Sequence, residues 1–364
     1  MRKVLIIAGG LQIGGAERVA ANISKYAPKD QFEFHYVVFE GIENAYGPEI
    51  ERAGGTVFTI PSPSKGYREY MHTLASLIKQ HQYTAVHSHT MFNSGINLLV
   101  AMIYGVPCRI AHSHTTKTER KTSIKQKAYQ QIMRAIIHMT ATDLFACGVD
   151  AGYWMFGKRA FQKKGILISN GIDIEEFAWV PEKRARIRQM YGWEDAFLIG
   201  HSGTLLPLKN QKFLIEILPE ILKKQPNAKL VLLGNGTPEY TQELMRMAQA
   251  RNVEDKVFFC GSVRNVFDYL NAFDVFAFPS LREGTPLALI EAQTNGLPCV
   301  ISDRIPKDVY LTNLITAIPL EEETSWITEI CEAKRNIHNY AEEIASKGYS
   351  AKNAYQPIYD AYVR

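Results

Sequence analysis

The sequence predicts an α/β protein with two consecutive domains, each built on a parallel sheet, and three observations lead to that prediction. The chain has 364 residues, too many for one ordinary α/β core and suited to two domains of roughly 150 to 200 residues each. Short apolar runs alternate with amphipathic stretches along the whole chain, as in parallel sheets wrapped by helices. A charge-rich stretch near the middle divides this alternation into two series.

The first series occupies residues 1–172, which we predict to form the N-terminal domain. Helical patterns, such as GAERVAANISKYA and the stretch near residues 67–81, separate its strands. The predicted strands are KVLIIAGG, FEFHYVVF, TVFTIP, AVHSH, CRIAHSH, ATDLFACG and GILISN.

The second series is predicted to form a C-terminal domain at residues 195–345. A connecting segment, residues 172–195, precedes it, and Pro181 opens a solvated, charge-rich helix there rather than a buried strand. The tyrosine-rich tail is helical in pattern, and its last helix, at about residues 346–364, is expected to pack back on the first domain. The strands of the second series are FLIGHSG, AKLVLLGNG, KVFFCG, VFAFPS and PCVISD.

Composition excludes several classes of protein. Hydrophobic residues make up 46% and charged residues 21%, which is the balance of a globular protein. No apolar run approaches the roughly 20 residues that cross a bilayer, and no export leader precedes the first strand, so we expect a cytoplasmic protein. Five scattered cysteines without a Cys-x-x-Cys pair indicate reduced thiols rather than disulfides or zinc.

The net charge of +4 is unevenly spread along the chain. Residues 1–177 contain 20 Lys and Arg against 14 Asp and Glu, whereas the remainder contains 21 against 23. We therefore expect an anionic partner to meet the first half. Because the excess is modest and basic residues do not interleave with aromatic ones, nucleic acid is not an expected partner.

A glycine-rich loop, GGLQIGGAER, joins the first predicted strand to the first helix. Gly14 and Gly15 let the backbone approach a ligand closely, and free N–H groups at a helix start favour an anion. The loop does not match Gly-x-Gly-x-x-Gly, so a dinucleotide fingerprint is not supported. A plain tight turn and a phosphate or acceptor loop remain equally open.

Two histidine pairs, His87 with His89 and His112 with His114, end successive predicted strands. Ligands of open parallel sheets bind at the carboxyl ends of strands, so polar residues there are better placed for chemistry than for packing. Zinc is not predicted, because no cysteine or carboxylate accompanies the histidines at metal-ligand spacing.

In the second half, Gly203, Thr204 and Lys209 lie in the loop after that domain's first strand. A lysine at the mouth of a sheet can act as a point charge on a diphosphate. A solvated loop lysine is the commoner case, so Lys209 alone does not decide the function.

The stretch LREGTPLALIEA is the most informative part of the chain. Glu283 is predicted to lie in the loop after the strand VFAFPS, and Pro286 to stand in the first turn of a helix. Glu291 then lies roughly 9 Å further along at 1.5 Å per residue, with the amides of residues 284–287 in the gap. Carboxylates accept hydrogen bonds from paired hydroxyls. This predicts a ligand with a diphosphate over the helix start, a sugar beside Glu283 and a ribose at Glu291. The simpler alternative is a helix preceded by a favourable acidic residue.

Residues 116–139 form a basic segment with six Lys and Arg against one Glu. Such a segment either covers anionic headgroups, at about 1 kcal/mol per cation near the surface, or forms a solvated helix face. Both readings stay open. The first predicts peripheral association with the inner leaflet of the plasma membrane.

Together these motifs resemble glycosyltransferase family 4, in particular the branch that builds bacterial exopolysaccharide and capsule. The resemblance covers nearly the whole chain, and its most specific part is SLREGTPLALIEAQTNGLPCVISD, in which seven residues separate two glutamates. The supporting motifs are GGAER, AVHSHT, RIAHSHTT, CGVDAGYWMFG, ISNGIDIEEF, LKNQKFLI and LLGNG.

The resemblance implies a GT-B fold, in which two Rossmann-like domains face each other across a cleft. It also implies a retaining transfer of a sugar from a nucleotide-sugar, with UDP as the expected nucleotide. No cofactor and no metal are expected, in agreement with the lack of an Asp-x-Asp at a strand end. The expected acceptor is a saccharide, such as a polyprenyl-diphosphate-linked oligosaccharide.

The resemblance also assigns roles to residues of this chain. Lys209 would neutralise the diphosphate, Glu291 would hold the ribose and Glu283 would orient the sugar. His114 would contact the sugar and the leaving group, with His112 as the second choice, so that His114, Glu283 and Lys209 are the expected catalytic residues. The expected donor site contains Gly15, Gly203, Thr204, Lys209, Gly234, Arg264, Glu283, Gly284, Thr285, Pro286, Leu287 and Glu291, and the acceptor side contains Gly14, His89 and His112.

One position departs from the family pattern. Thr204 stands where most relatives carry an arginine, so one of two cations expected on the diphosphate is missing. Arg264, or a basic side chain of the first domain, is the candidate to replace it. Two alternative functions stay open: a nucleotide-sugar epimerase on the same fold, and a nucleotide-sugar-binding subunit without turnover.

Overall fold

The computed structural model describes residues 1–12, 15–42, 44–114, 123–168, 171–335 and 338–364. The chain divides into two compact units. The first comprises Met1–Gly171 together with Ala351–Arg364, and the second comprises Ile172–Ser350. The C-terminal stretch therefore returns to the first unit, and the charge-rich segment that begins at residue 172 belongs to the second.

A parallel sheet forms the centre of the first unit. Its seven strands among the described residues are β1 (Arg2–Gly9), β2 (Phe32–Phe39), β3 (Thr56–Ile60), β4 (Ala85–Ser88), β5 (Cys108–Ser113), β6 (Asp143–Ala146) and β7 (Gly165–Leu167). Their order in the sheet is β3-β2-β1-β4-β5-β6-β7, and neighbouring strands run parallel. Apart from the added edge strand β7, this is the order of a Rossmann sheet.

A second parallel sheet forms the centre of the second unit. Its strands in the described part of the chain are β8 (Phe197–Ser202), β9 (Ala228–Leu233), β10 (Val257–Gly261), β11 (Val275–Phe278), β12 (Cys299–Ser302) and β13 (Ile315–Ile318). The order β10-β9-β8-β11-β12-β13 repeats the Rossmann order within this unit. The α/β prediction with two Rossmann-like sheets is therefore confirmed.

Helices cover both faces of each sheet and connect successive strands, as parallel pairing requires. They are α1 (Gly15–Tyr26), α2 (Gly47–Arg52), α3 (Tyr67–His81), α4 (Ser94–Ile103), α5 (Ile124–Thr140), α6 (Val149–Phe156), α7 (Lys158–Lys164), α8 (Ile174–Phe177), α9 (Pro181–Tyr191), α10 (Gln211–Lys224), α11 (Pro238–Ala250), α12 (Val266–Ala272), α13 (Leu287–Thr294), α14 (Glu323–Glu332), α15 (Ala341–Ile344), α16 (Ala351–Ala354) and α17 (Gln356–Val363).

The C-terminal helix α17 packs on the first sheet. Tyr359 and Tyr362 are buried there in the same apolar cluster as Val4 and Ile23. The Tyr359 hydroxyl donates to the Ile23 carbonyl at 2.9 Å, and an Arg2 side-chain N–H donates to the Tyr362 carbonyl at 3.0 Å. The last residues of the chain thus complete the core of the first unit.

The helix predicted at Pro181 is α9, but its inner face is not solvated as expected. The guanidinium groups of Arg184 and Arg188 each donate to Asp274 at 2.6 Å, and Arg188 is buried. Both arginines also donate to the Ala272 carbonyl, the last residue of α12. The segment therefore belongs to the packed second unit, because its arginines satisfy a carboxylate and a helix end that would otherwise lack partners.

Candidate active site

The strand order of the second sheet reverses between β8 and β11. In open α/β sheets, ligands bind in the crevice outside the carboxyl ends of the strands at such a reversal. Lys209 lies in the loop that follows β8, and Glu283 lies in the loop that follows β11. The fold therefore brings these two predicted residues to the same point of the sheet.

Backbone contacts hold the two loops together. The Leu281 N–H donates to the Leu208 carbonyl at 2.9 Å. Asn210 is buried, and its side-chain amide donates to the Pro279 carbonyl at 3.3 Å. Its φ of 56° is left-handed, a conformation that asparagine tolerates better than most residues. The positions from which the Lys209 and Glu283 side chains extend are thus fixed by the main chain.

Lys209 and Glu283 form a close ion pair. The Lys209 Nζ donates to Glu283 Oε1 at 2.6 Å and to Oε2 at 2.8 Å. The side chains are 21% and 9% exposed. The same ammonium lies 5.6 Å from the centre of the Phe278 ring, which is within cation–π range. The lysine predicted for the diphosphate and the glutamate predicted for the sugar are thus each other's partners.

A buried histidine supports this loop. His201 is a residue of β8, and its Nδ1 is hydrogen-bonded to the Ala277 carbonyl at 3.0 Å. Its Nε2 is hydrogen-bonded to the Gln211 amide at 3.3 Å, and the same amide donates to the Thr204 carbonyl at 3.0 Å. Burial, with a smaller contribution from the Lys209 charge, lowers the pKa of His201 to about 4. The ring is therefore neutral at pH 7, with its proton on Nδ1 and with Nε2 as acceptor.

His201 and Gln211 were not among the residues that the sequence singled out. A histidine in a strand normally reads as a core residue, and a glutamine at a helix start carries no specific pattern. The sequence offers one signal for them, their position at the two ends of the loop that carries Lys209. His201 lies in β8, just before that loop, and Gln211 is the first residue of α10, just after it.

Gly234 allows the loops after β8 and β9 to meet. Its φ is +134°, and a Cβ built there would lie 2.1 Å from the Gly203 carbonyl oxygen and 3.3 Å from the Thr204 amide nitrogen. Only glycine fits this approach. Gly203, Thr204 and Gly234, all predicted for the donor site, are thus neighbours. Arg264 follows β10, and its side chain is exposed. Within the described residues it makes no ion pair with Glu283, whose ion-pair partner is Lys209.

The helix after Glu283 begins one residue later than expected. Pro286 was predicted in the first turn, but it is the N-cap of α13, with φ −75° and ψ 96°. Its carbonyl accepts from the N–H groups of Leu289 and Ile290. Because proline has no N–H, residues 284–287 offer three amides rather than four. Glu291 lies in the second turn of α13, half-buried, and makes contacts of its own.

The corresponding edge of the first sheet carries four histidines. His87 is hydrogen-bonded through Nδ1 to the Tyr362 hydroxyl at 2.6 Å and through Nε2 to His112 Nδ1 at 3.1 Å. His89 Nδ1 is hydrogen-bonded to His114 Nε2 at 2.7 Å. The ring planes are nearly parallel in each cross-strand pair, with an interplanar angle of 5° for His87 and His112 and of 14° for His89 and His114. The two histidine motifs thus meet in one cluster, closed at its inner end by a tyrosine from α17.

Burial keeps this cluster uncharged and corrects one prediction. Desolvation holds the pKa of His87, His89 and His112 well below 6.5 and lowers that of His114 to about 4. His112 was expected on the acceptor side, but it has no exposed surface, because β5 continues to Ser113 and leaves residue 112 inside the strand. His89 and His114 follow their strands and are half-buried; the nitrogens not used in their mutual bond, His89 Nε2 and His114 Nδ1, are buried without a hydrogen-bond partner in the described part of the chain.

The histidine cluster also has ligand atoms suited to a metal. Nitrogen atoms of His87, His89 and His112 lie within 4.8 Å of one another, whereas nitrogens about 2.0–2.1 Å from one tetrahedral zinc lie about 3.3 Å apart. His87 and His112 already share a hydrogen bond. The arrangement therefore describes a packed hydrogen-bonding cluster better than a formed metal centre.

Three further predictions fall elsewhere. Gly14 and residues 116–122 lie outside the described residues. Gly15 is the first residue of α1 and belongs to the first unit, whereas the other residues predicted for the donor site belong to the second.

Comparison with known proteins defines the class of this chain. A family model described as Glycosyl transferases group 1 matches residues 183–344, and one described as Glycosyltransferase Family 4 matches residues 13–176. The chain is 32% identical to the putative glycosyltransferase EpsF of Bacillus subtilis strain 168, over 99% of this chain and 96% of EpsF. It belongs to glycosyltransferase family 4.

Further comparisons agree with this assignment. The capsular polysaccharide biosynthesis glycosyltransferase CapH of Staphylococcus aureus is 29% identical, over 85% of this chain and 83% of CapH. The UDP-Gal:alpha-D-GlcNAc-diphosphoundecaprenol alpha-1,3-galactosyltransferase of Escherichia coli is 26% identical, over 80% of this chain and 76% of that enzyme. Anabaena Alr3699/HepE, solved in complex with UDP-glucose, has a TM-score of 0.80 at 20% identity, with both chains fully covered.

These findings confirm the predicted family and GT-B fold class. The chain is a glycosyltransferase. Within the residues that the structure describes, every helix is too short or too polar to cross a membrane.

Proposed function

We propose that this enzyme transfers a sugar from a UDP-sugar to a saccharide acceptor with retention of configuration and without a divalent metal. The observation that carries the proposal is the Lys209–Glu283 pair at the reversal of the second sheet, directly before α13. A cation for the diphosphate and a carboxylate for sugar hydroxyls stand where such a sheet binds its ligand. The E. coli relative, whose name specifies UDP-Gal, supports the choice of donor.

Catalysis in this proposal comes from stabilising the leaving diphosphate. Negative charge grows on the diphosphate as the glycosidic bond breaks, and donors already positioned around it lower the barrier. Lys209 supplies one positive charge, and the first amides of α13 supply the positive end of a helix dipole. These groups take the place of a divalent cation, which is why we propose metal independence.

Retention in this proposal follows from the way Glu283 is held. Glu283 is held by Lys209 through both oxygens and is therefore a poor nucleophile. The leaving diphosphate itself then accepts the proton of the attacking hydroxyl, on the face from which it departs. The nucleophile enters on that same face, and the anomeric configuration is kept.

His114 is the proposed contribution of the first unit. Its pKa of about 4 makes it neutral at pH 7, so it acts as a hydrogen-bonding group rather than as a general acid. The hydrogen bond to His89 fixes the orientation of its ring. We assign His114 to the sugar and His89 to positioning it.

We further propose a lipid-linked acceptor at an anionic membrane surface. The name of the E. coli relative specifies a diphosphoundecaprenol-linked acceptor. The described part of the basic segment is α5, where Ile124, Ile132 and Met139 are 86%, 58% and 69% exposed. Lys125 and Lys127 are exposed on the same helix. A basic helix with exposed apolar side chains suits a lipid interface.

One residue counted in that basic segment does not serve this surface. Arg134 donates to the carbonyls of Met155 at 3.0 Å and Trp154 at 2.7 Å, at the end of α6. Its charge is used inside the first unit. The membrane proposal therefore depends on Lys125, Lys127 and the exposed apolar side chains.

Flotation with liposomes tests the membrane proposal. The wild-type enzyme is expected to float with vesicles containing phosphatidylglycerol and to remain below with phosphatidylcholine alone. Lys125→Glu combined with Lys127→Glu should abolish flotation, whereas the matched reversal of two exposed lysines of α10, Lys223→Glu with Lys224→Glu, should not. Equal flotation with both lipid compositions would rule the proposal out.

Product analysis tests the transfer itself. The enzyme should release UDP and form a new glycosidic bond only when donor and acceptor are both present, with an NMR coupling that shows the donor's anomeric configuration. EDTA should leave the rate unchanged. A changed sugar from donor alone would indicate an epimerase, and an inverted product would refute retention.

A further inference from the structure

We infer that Glu283 is a specificity-determining residue that makes the site favour the nucleotide-sugar over the nucleoside diphosphate left after transfer. The inference rests on the proposed function, because it takes Lys209 as the cation that meets the diphosphate. It adds a second role to Glu283, which competes for that cation.

The contacts of the Lys209–Glu283 pair are the basis of this competition. Both carboxylate oxygens of Glu283 are held by the Lys209 Nζ, at 2.6 and 2.8 Å. The Glu283 side chain is 9% exposed, so water does little to replace the lysine as the partner of its carboxylate. The backbone hydrogen bond between Leu281 and Leu208 also holds together the two loops that carry the pair, so the pair does not depend on flexible side chains alone. A diphosphate can therefore reach Lys209 only by sharing it with Glu283.

The two forms of the nucleotide differ in what they offer Glu283. In a nucleotide-sugar the distal phosphate is esterified and carries one negative charge, and the attached sugar brings hydroxyls that donate to the carboxylate. The sugar hydroxyls thus replace the hydrogen bonds that Glu283 loses when Lys209 turns to the diphosphate.

After transfer this compensation is gone. The distal phosphate becomes a terminal group with a charge of about −1.5 to −2 at pH 7, and the hydroxyls have left with the acceptor. The carboxylate then faces added negative charge with Lys209 as its remaining partner. Like charges brought together at a binding site oppose binding, so Glu283 should weaken product binding and speed its release.

The residues beside Lys209 and Glu283 determine how strongly this competition affects diphosphate binding. Thr204, in the adjoining loop, carries no charge. Arg282 precedes Glu283, but its side chain is exposed and has contacts of its own. The charge that a diphosphate finds at this point thus depends strongly on how Lys209 is shared.

Calorimetric titration of the whole chain with UDP, UMP and inorganic pyrophosphate at pH 7.5 tests the inference. Glu283→Gln keeps the size of the side chain and removes its charge. We expect its Kd for UDP and for pyrophosphate to fall on the order of tenfold, because one opposing charge is removed. UMP lacks the distal phosphate, so its affinity should change little. If Glu283→Gln binds UDP and pyrophosphate no more tightly than wild type, the inference is wrong.

Two further variants separate this inference from the proposed function. In a Lys209→Met background, adding Glu283→Gln should give no gain, since the contested cation is absent. Glu283→Asp keeps the charge and should bind UDP as weakly as wild type, and thermal melts of all variants check folding. If Lys209→Met alone leaves UDP and pyrophosphate binding unchanged, the proposed donor site fails. If it weakens both while Glu283→Gln brings no gain, only the inference fails.

Discussion

Apart from the edge strand β7, the two sheets of this enzyme have the same strand order, but they present different chemistry at their carboxyl edges. The first edge carries His87, His89, His112 and His114, whose pKa values burial holds below the ordinary range. The second edge carries the Lys209–Glu283 ion pair, which is partly exposed. Topology thus determines where a ligand binds, and the side chains determine which ligand: neutral hydrogen-bonding rings suit sugar hydroxyls, and a cation suits a diphosphate.

The largest expected effect comes from removing the charge at the second edge. Lys209→Met should lower kcat/KM for sugar transfer by about 10²- to 10³-fold, the usual loss when one preorganised donor to a developing anion is removed. A coupled assay of UDP release measures this. Lys212→Met is the matched control, since Lys212 is an exposed lysine of α10. A loss equal to that of the control would remove the distinction between the two edges.

The backbone beneath the second edge is the next point to test. Gly234→Ala should lower the free energy of unfolding by about 2 to 4 kcal/mol, because its Cβ would lie 2.1 Å from the Gly203 oxygen at a φ of +134°. Urea denaturation measures the change. Gly148→Ala, where a Cβ has open space at an extended φ, should cost less than about 1 kcal/mol. Similar losses in both variants would mean that the close approach at Gly234 is not required.

The sequence established more about the second edge than about the first. Alternating apolar runs predicted both sheets because strands of a parallel sheet are buried on both faces. The Glu283 motif predicts a ligand site by local spacing. Its pairing with Lys209 joins residues 74 positions apart, and the Tyr362–His87 bond joins residues 275 positions apart. Such contacts follow from the order of strands in the sheet, which local patterns do not specify.

His112 shows the limit of the motif at the first edge. Both histidine motifs predicted strand ends, yet strand pairing extends far enough to enclose His87 and His112. A shift of one residue in the end of a strand decides whether a side chain meets solvent or the core. The motif therefore located the cluster without saying which of its rings a ligand can reach.

The neutral first edge should make stability depend on pH. Below about pH 6.5 a histidine of the unfolded chain takes up a proton, whereas His112 with its lowered folded pKa does not. The unfolded state then binds more protons, so stability falls as pH falls, by up to about 1.4 kcal/mol per pH unit for each such histidine. His112→Gln should flatten this slope between pH 7.0 and 5.5 in urea unfolding. His72→Gln, at an ordinary helix position, is the control, and parallel slopes in wild type and His112→Gln would contradict the neutral cluster.

The smallest expected effect comes from adding a positive charge to the second edge. Thr204→Arg adds a second cation to the loop that carries Lys209 and should tighten UDP binding about three- to tenfold, as one additional charge-assisted contact would. Thr204→Gln controls for side-chain length without charge. Calorimetry of both variants measures the difference, and equal affinities would show that residue 204 does not meet the diphosphate.

The central claim is that the second edge, and not the histidine edge, holds the nucleotide. Hydrogen–deuterium exchange of the whole enzyme with and without UDP tests it most directly. Our account predicts slower exchange in peptides that cover residues 203–211 and 281–291, and loss of that protection in Lys209→Met. Unchanged exchange in both peptides, while UDP binds with measurable affinity, would contradict it.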